Sequence, residues 1–577
     1  MIKSAARQSR WHGRKEARDG PAFPAIPDSM TTSPTSALRA AIFGWFERNV
    51  FALAREMRLS YLPPLLVYAA AGISSLTSVV GTFYVKERLG LSAEFLAALG
   101  FWMMLPWALK MPLGHLVDLI WRWKSLLVYS GAGLIALSLL IMVGLLGYTD
   151  AMLAVAPAET WFVVASLLAP VGYVLQDVVA DAMTVEAVPR VDADGQPIAA
   201  ATLKTMHTTM QTLGRVAIIG GGVLVSILNI FLLRGVNELP QAQKADAYLL
   251  VYELALVIPM VSVVGVALAA WLRRRALVRL AAEGHTRAQG EEILDRHIEP
   301  PPVNWWILGG GLAFTVVSLG VGLGQVAAGE EIVFAASMAI VVFMMWRLTR
   351  ELAPDARHFL VGTAIVVFAF RAVPGPGAGA SWWVIDVLGF DQQFVALLGL
   401  IAAVLTLLSL FIFRRFMADH SIAYVVGVLT IIGALLALPN IGMFYGLHVW
   451  TAAHTLGVVD ARFIALVDTA LDSPLGQIAM IPMLAWIANS APEKLKATFF
   501  AVMASFTNLA LSASQLGTKY LNAMFSVTRE VKDAAGHVTT PADYSQLGAL
   551  LITVLVISIA LPFLAILFSR FTRFRNA

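Results

Sequence analysis

Two carboxylates interrupt one long apolar run of this chain. In Gln176-Asp177-Val178-Val179-Ala180-Asp181-Ala182 the acids stand four residues apart, which puts both on one face of a helix. Carrying an ionisable side chain into a bilayer costs about 2.5–3.5 kcal/mol on insertion scales, so such a group turns toward a bundle interior or a cavity. A carboxyl placed there can hold a coupling proton, because loss of water disfavours its charged form. The other reading is structural, with both acids near the inner interface and paired to Lys204 or Arg215 on the next run.

Arg371 lies well inside a different run, too deep for easy snorkelling, and a buried guanidinium needs an anion. That anion is a substrate carboxylate, or Asp177 or Asp181 reached across the molecule. The sequence Pro374-Gly375-Pro376-Gly377 just beyond breaks the helix, and an interrupted helix with freed backbone groups suits a binding or hinge element. Lys110, near the end of its own run, either joins these charges or snorkels to the interface. The expected substrate- and proton-binding set is therefore Asp177, Asp181, Arg371 and Lys110. Trp382 and Trp383 can stack on a planar ligand, although aromatics at a membrane boundary more commonly anchor it.

The stretch from Leu105 to Lys124 reads as a loop after the second apolar run. It carries Gly114, Asp118, Arg122 and Lys124. A glycine, an aspartate four residues on and then basic residues resembles the loop signature of the major facilitator superfamily. The glycine is expected to allow close approach to a neighbouring helix, and Asp118 to pair with helix N-termini or arginines of the opposite half when the inner gate is shut.

Leu105-Pro106-Trp107 followed by Lys110, Gly114 and Asp118 is more narrowly similar to the pattern of the folate-biopterin transporter family, a branch of that superfamily. Gln176 to Ala182 resembles its fourth helix with paired aspartates. Phe370-Arg371-Ala372-Val373-Pro374 with Leu388-Gly389-Phe390 resembles the start of its second half, and Thr498-Phe499-Phe500-Ala501 with Ser505 its penultimate helix. This resemblance implies a carrier of folate, pterin or another organic anion. Chain and family differ at Pro112, displaced from the position after the lysine, and at Val117, where the family has serine. A fourteen-helix plan with Gln-Asp-x-x-x-Asp is also similar to muropeptide permeases.

Composition and repetition indicate what holds these residues. The chain has 577 residues, 58% of them hydrophobic and only 14% charged, which is too little polar surface for a water-soluble globule. With no cysteine there are no disulfides, thiolate metal sites or iron-sulfur clusters. The basic residues are scattered among short loops, so nucleic acid is not an expected partner; the lipid bilayer and a small-molecule substrate are. No cofactor or metal is expected, and no reactive constellation suggests an enzyme.

Tyr84 to Phe101 is echoed by Trp383 to Leu400, with seven of eighteen positions identical at one offset. Each copy lies between two apolar runs, the trace of a carrier built from two parallel halves. Fourteen spans of about 20 residues are expected. Six are Tyr61–Thr82, Glu94–Leu113, Ser125–Leu146, Trp161–Thr184, Thr209–Leu232 and Tyr248–Leu272. Two more, Trp305–Val326 and Ile332–Trp346, have no counterpart in the first half and read as an inserted hairpin. The last six are Phe359–Ala378, Gln393–Phe413, Ile422–Leu438, Ala465–Ile487, Thr498–Phe525 and Leu547–Phe568.

The expected fold is thus an all-α polytopic membrane protein with two six-helix halves, like the major facilitators, plus two inserted helices. Residues 1–59 form a tail with an amphipathic helix over Leu38 to Leu59, and 60–272 the first half. Residues 273–302 form a cytoplasmic linker, 303–350 the inserted pair and 351–577 the second half. Residues 1–39 lack the apolar core of a signal peptide, and Met30 is an alternative start. Lys and Arg concentrate in loops on the side of the N-terminus, so a multi-pass protein of the cell or inner membrane with both termini cytoplasmic is expected. The function expected is secondary active transport by alternating access, with proton coupling as an option. A muropeptide-type permease and a non-transporting membrane assembly factor of the same fold are the alternatives.

Overall fold

The structure, a computed structural model, describes residues 43–44, 47, 51–189, 198–295, 302–324, 326–350, 352–412, 420–475, 496–532 and 538–572. The chain divides into two units, Met1–Arg55 and Glu56–Ala577. Of the first, a short turn Ala52–Arg55 is described, with Arg55 donating to Glu47 at 2.8 Å. The amphipathic helix expected over Leu38 to Leu59 falls mostly outside the described residues.

The second unit is a bundle of helices. The first half comprises α1 (Leu59–Arg88), α2 (Ala93–Leu119), α3 (Ser125–Gly147), α4 (Ala158–Ala187), α5 (Ala200–Leu232) and α6 (Gln241–Ala282). Then come α7 (Trp305–Leu323) and α8 (Gly329–Thr349), followed by α9 (Pro354–Arg371), α10 (Gln392–Ile412), α11 (Ile422–Phe444), α12 (Ala461–Asp472), α13 (Lys496–Met524) and α14 (Leu547–Phe571). Eleven helices among the described residues are long and apolar enough to cross a membrane.

The other three expected spans fall short of that measure for separate reasons. Helix α9 carries Asp355, Arg357, His358 and Arg371, α12 is followed by residues outside the described set, and α13 is rich in hydroxyls and amides. Several boundaries also differ from expectation, among them α5, which begins at Ala200 and not Thr209, and α9, which ends at Arg371 and not Ala378. Helix α2 does not stop at Leu113 but runs to Leu119, so the supposed gate loop is largely helical. Helix α6 runs past Leu272 to Ala282, because Arg273, Arg274, Arg275 and Arg279 are good helix formers and extend it into the linker. A small hairpin between α13 and α14 pairs β1 (Val531–Lys532) with β2 (Val538–Thr540), Val531 opposite Thr540 and Lys532 opposite Val538.

The repeat has a physical basis in a shared helix start. At the head of α2, Ser92 accepts a hydrogen bond from the Phe95 amide at 3.1 Å; at the head of α10, Asp391 accepts from the Phe394 amide at 2.8 Å. Serine and aspartate are both N-cap residues, and these two occupy aligned positions of the repeat. The halves meet along two seams, α2 against α13 and α5 against α10, which exchange with one another when the halves are interchanged.

Glycines set how closely these helices approach. A side chain at Gly72 of α1 would stand 2.2 Å from the Ile218 carbonyl oxygen of α5, and one at Gly221 would meet the Gly72 backbone at 2.8 Å. Gly131 of α3 and Gly172 of α4 face each other's carbonyls in the same way, at 2.5 and 2.6 Å. The pair α7–α8 packs on the α2–α13 seam. There Phe314, Val341 and Met344 share a core with Phe101, Met111 and Leu509, and Pro112 sits against Gly311. Polar groups close the far end of the hairpin: the Trp102 indole donates to Glu330 at 3.1 Å, and Lys519 lies 3.3 Å from both Glu330 and Glu331.

Candidate functional site

Pro106 opens a 3-10 segment, Leu105–Leu109, in the middle of α2, and the α-helix resumes at Lys110. A 3-10 turn advances each residue about 20° further than an α-turn, so five residues shift the following face by roughly 100°. Lys110 consequently faces α4. Its ammonium lies 2.6 Å from Asp177 and 2.8 Å from Asp181. From α1, the Tyr68 hydroxyl donates to Asp181 at 2.5 Å. Tyr68 is buried, and the side chains of Asp177 and Asp181 are 15% and 43% exposed, so Asp181 is the more accessible acid.

The motif around these acids splits into two roles. Gln176 turns the opposite way, accepting from Ser262 of α6 at 2.8 Å and donating to the Val128 carbonyl of α3 at 3.4 Å. The glutamine thus fixes α4 to its neighbours while the acids point inward. Lys110, read from sequence as either a site residue or a snorkelling one, is the ion-pair partner of both acids. Arg215 does not ion-pair with them, although it is close enough to act electrostatically on both Asp177 and Arg371.

Arg371 is the last residue of α9 and belongs to the opposite half. Among the described residues, the ion pairs of Asp177 and Asp181 are made with Lys110 and not with Arg371. The Pro-Gly run does interrupt the helix. Residues 372–377 are irregular, Gly377 takes φ +76°, and a short helix Ala378–Asp386 follows.

Helix α13 satisfies the backbone freed by both interruptions. Ser514 donates to the Val373 carbonyl at 2.7 Å, Thr518 accepts from the Gly375 amide at 3.0 Å, and Asn522 donates to the Pro376 carbonyl at 3.3 Å. On the same helix Ser505 accepts from the Met111 amide at 3.1 Å, and Asn508 donates to the Trp107 carbonyl at 3.3 Å. Irregular backbone at membrane depth persists only where such partners exist. The polar spacing of α13 was visible in the sequence, but its partners were not.

Between the halves lies a cavity of about 460 Å³, lined among others by Ser78, Thr82, Phe162, Ser381, Trp382, Gln515 and Thr518. Gln515 reaches it because Gly100 of α2 leaves room; a side chain there would stand 2.6 Å from the amide oxygen. Trp382 and Trp383 are both buried, so neither is a boundary anchor.

One end of this cavity is closed by contacts between the halves. Lys86 of α1 pairs with Asp386, which also accepts from Tyr544 at 2.5 Å. Arg529, in the segment after α13, donates to the carbonyls of Val85, Lys86 and Leu89 at the end of α1. Burial holds the Arg529 guanidinium below its usual range, the carboxylates of Glu159 and Asp386 opposing that shift. Gln392 of α10 donates to Tyr248 of α6 at 2.8 Å.

The expected gate residues are arranged otherwise. Gly114 lies in the helical end of α2, and a methyl there would touch only Val178 at 4.0 Å, so no close approach requires the glycine in this conformation. Asp118 is exposed, and among the described residues no ion pair joins it to the second half. Arg122 is exposed as well. Lys124 pairs at 2.8 Å with Glu186 at the end of α4 and lies over the Trp121 ring, so it ties the first half to itself. Among the described residues no cluster could hold a metal ion.

A family model described as the BT1 family matches residues 71–574. A folate-biopterin transporter of Synechocystis sp. is 26% identical over 167 residues, which are 29% of this chain and 31% of that protein. The fold is similar to that of a POT family transporter in complex with 5-aminolevulinic acid, with TM-score 0.58 and 12% identity over 89% of this chain and 96% of the other. It is similar also to an auto-inhibited POT family peptide transporter, with TM-score 0.56 and 13% identity over 89% and 96%.

Proposed function

Because this chain belongs to the BT1 family, we propose that it is a secondary active transporter moving a small organic anion of folate or pterin type by alternating access. The observation that carries this reading is the charge cluster of Lys110, Asp177, Asp181 and Tyr68 inside the bundle, on the same helices that further along line a cavity between the halves. A bundle that needed only to fold would gain by replacing such a cluster with apolar side chains. Retained intramembrane charges mark a substrate or ion path.

In this reading Asp181, the more exposed acid, takes up the coupling proton. Lys110 then holds Asp177 alone, and the Tyr68 hydroxyl keeps only a neutral carbonyl acceptor on Asp181, a weaker bond than the one to the carboxylate. Arg371 from the second half, with Arg215 from the first, supplies positive charge for a carboxylate of the solute. The uncharged, hydroxyl-lined cavity with Phe162 and Trp382 takes the flat remainder. The contacts of Lys86 and Arg529 close one end, and Asp118, Arg122 and Lys124, at the opposite ends of the helices, are the proposed gate on the other side.

Uptake into proteoliposomes under an imposed pH gradient tests the proposal. Gradient-dependent uptake of folate or a pterin, lost in Arg371→Ala, is the expected result. No uptake of either by protein that is folded and correctly inserted refutes the substrate assignment. A muropeptide-type substrate rests on the fourteen-helix plan and the Gln-Asp-x-x-x-Asp motif, and is tested in the same vesicles with peptidoglycan fragments.

A further inference from the structure

The hairpin α7–α8 carries an apolar groove on its outer side, separate from the cavity between the halves. Its volume is about 430 Å³, and Trp306, Gly309, Gly310, Ala313, Ile340 and Phe343 are among the residues that line it. The floor is open because of glycine: a side chain at Gly309 would meet nothing within 4 Å. At one end stand two guanidiniums. Arg347, one turn beyond Phe343, lies 5.5 Å from the centre of the Trp306 ring, and Arg350 lies 3.6 Å from that of Trp346. Both arginines are exposed, and among the described residues neither has a carboxylate partner.

We infer that this groove is a binding site for one anionic phospholipid, an acyl chain lying along Gly309 and Ala313 and the phosphate held by Arg347 and Arg350. Hydrocarbon is the occupant an uncharged groove at membrane depth can take without leaving polar groups unsatisfied. Two cations at its mouth select the headgroup, since each contributes about 1 kcal/mol toward an anionic lipid, or about fivefold in occupancy. The aromatic rings beneath the guanidiniums hold them at the level where headgroups lie. The site lies on the inserted pair and involves none of the residues assigned to transport.

The test uses the full chain in nanodiscs of phosphatidylglycerol and phosphatidylcholine with identical acyl chains, followed by mild delipidation and counting of retained lipids by mass spectrometry. The wild type is expected to retain phosphatidylglycerol at least about fivefold over phosphatidylcholine. Arg347→Gln with Arg350→Gln abolishes that preference, and Gly309→Leu or Ala313→Leu, which fill the groove, lower the retained count of both lipids. Circular dichroism and a single elution peak establish that each variant is folded. Equal retention of the two lipids by the wild type overturns the inference. So does an unchanged count in both groove-filling variants, which leaves headgroup attraction without a site. A change of oligomeric state on filling the groove, with lipid retention unaltered, assigns the groove to a second copy of the chain and also overturns it.

Discussion

The Lys110 ammonium sits 2.6 Å from the Asp177 carboxylate, and the bond joins α2 to α4 inside a single half of the molecule. The cluster is therefore complete within the first half, while Arg371 and the cavity lining contributed by α13 belong to the second. In the proposed cycle, proton and solute would each act on a different half.

Removing the cation leaves two neighbouring carboxylates without their shared counter-charge, Asp177 the less hydrated of the two. Lys110→Ala is expected to cost roughly 3 kcal/mol, the low end for breaking a buried pair because the lysine is partly hydrated. It should also abolish gradient-driven uptake. Lys110→Ala combined with Asp177→Asn should recover most of the thermal stability and none of the uptake. Stability that stays low in the double variant would show that the ion pair is not the source of the loss.

Gly72→Ala and Gly100→Ala separate packing from function. The first forces a methyl against the Ile218 carbonyl, which cannot move, and should cost about 1–3 kcal/mol. The second meets only the end of the Gln515 side chain, which can swing away, so melting should change little while uptake falls as the amide leaves the cavity. Equal losses of stability in the two variants would contradict this distinction.

Thr518→Val leaves the Gly375 amide without its acceptor in a buried place, a loss of about 1–3 kcal/mol. Thr518→Ser keeps the hydroxyl and should restore both melting temperature and uptake. A serine variant as impaired as the valine one would assign the effect to side-chain volume instead.

The chain has no cysteine, so a single engineered pair can be read without background. Lys86→Cys with Asp386→Cys should cross-link on oxidation, stop uptake and recover it with reductant, whereas either substitution alone should not respond. Full cross-linking with unchanged uptake would show that this end of the bundle does not need to open.

Much of the plan was legible because it rests on local rules. Apolar length marks spans, and equivalent caps at Ser92 and Asp391 leave an imprint at a fixed offset. The Pro-Gly run after Arg371 announced the break that the backbone shows. What stayed hidden depends on the rotation of helices about their axes. The 3-10 segment at Leu105–Leu109 turns Lys110 toward α4; Pro106 marks a break there in the sequence, but the length of the 3-10 segment, which sets that phase, is not written in it. For the same reason Tyr68 gave no signal as the partner of Asp181, nor Arg529 as a donor to α1, since both contacts join residues more than a hundred positions apart. Asp118 illustrates the opposite case, where a familiar pattern was plain in sequence but the ties expected of it are absent among the described residues of this conformation.

The carbonyls at the end of α1 are capped by Arg529, so one half completes a helix of the other. Parting the halves at that end returns Val85, Lys86 and Leu89 to hydration, and the work of opening includes wetting a helix terminus. In the proposed alternating-access cycle, the balance between shut and open forms then depends on water activity. Excluded osmolytes, which disfavour freshly wetted backbone, should hold this end shut even though they bind no site on the protein.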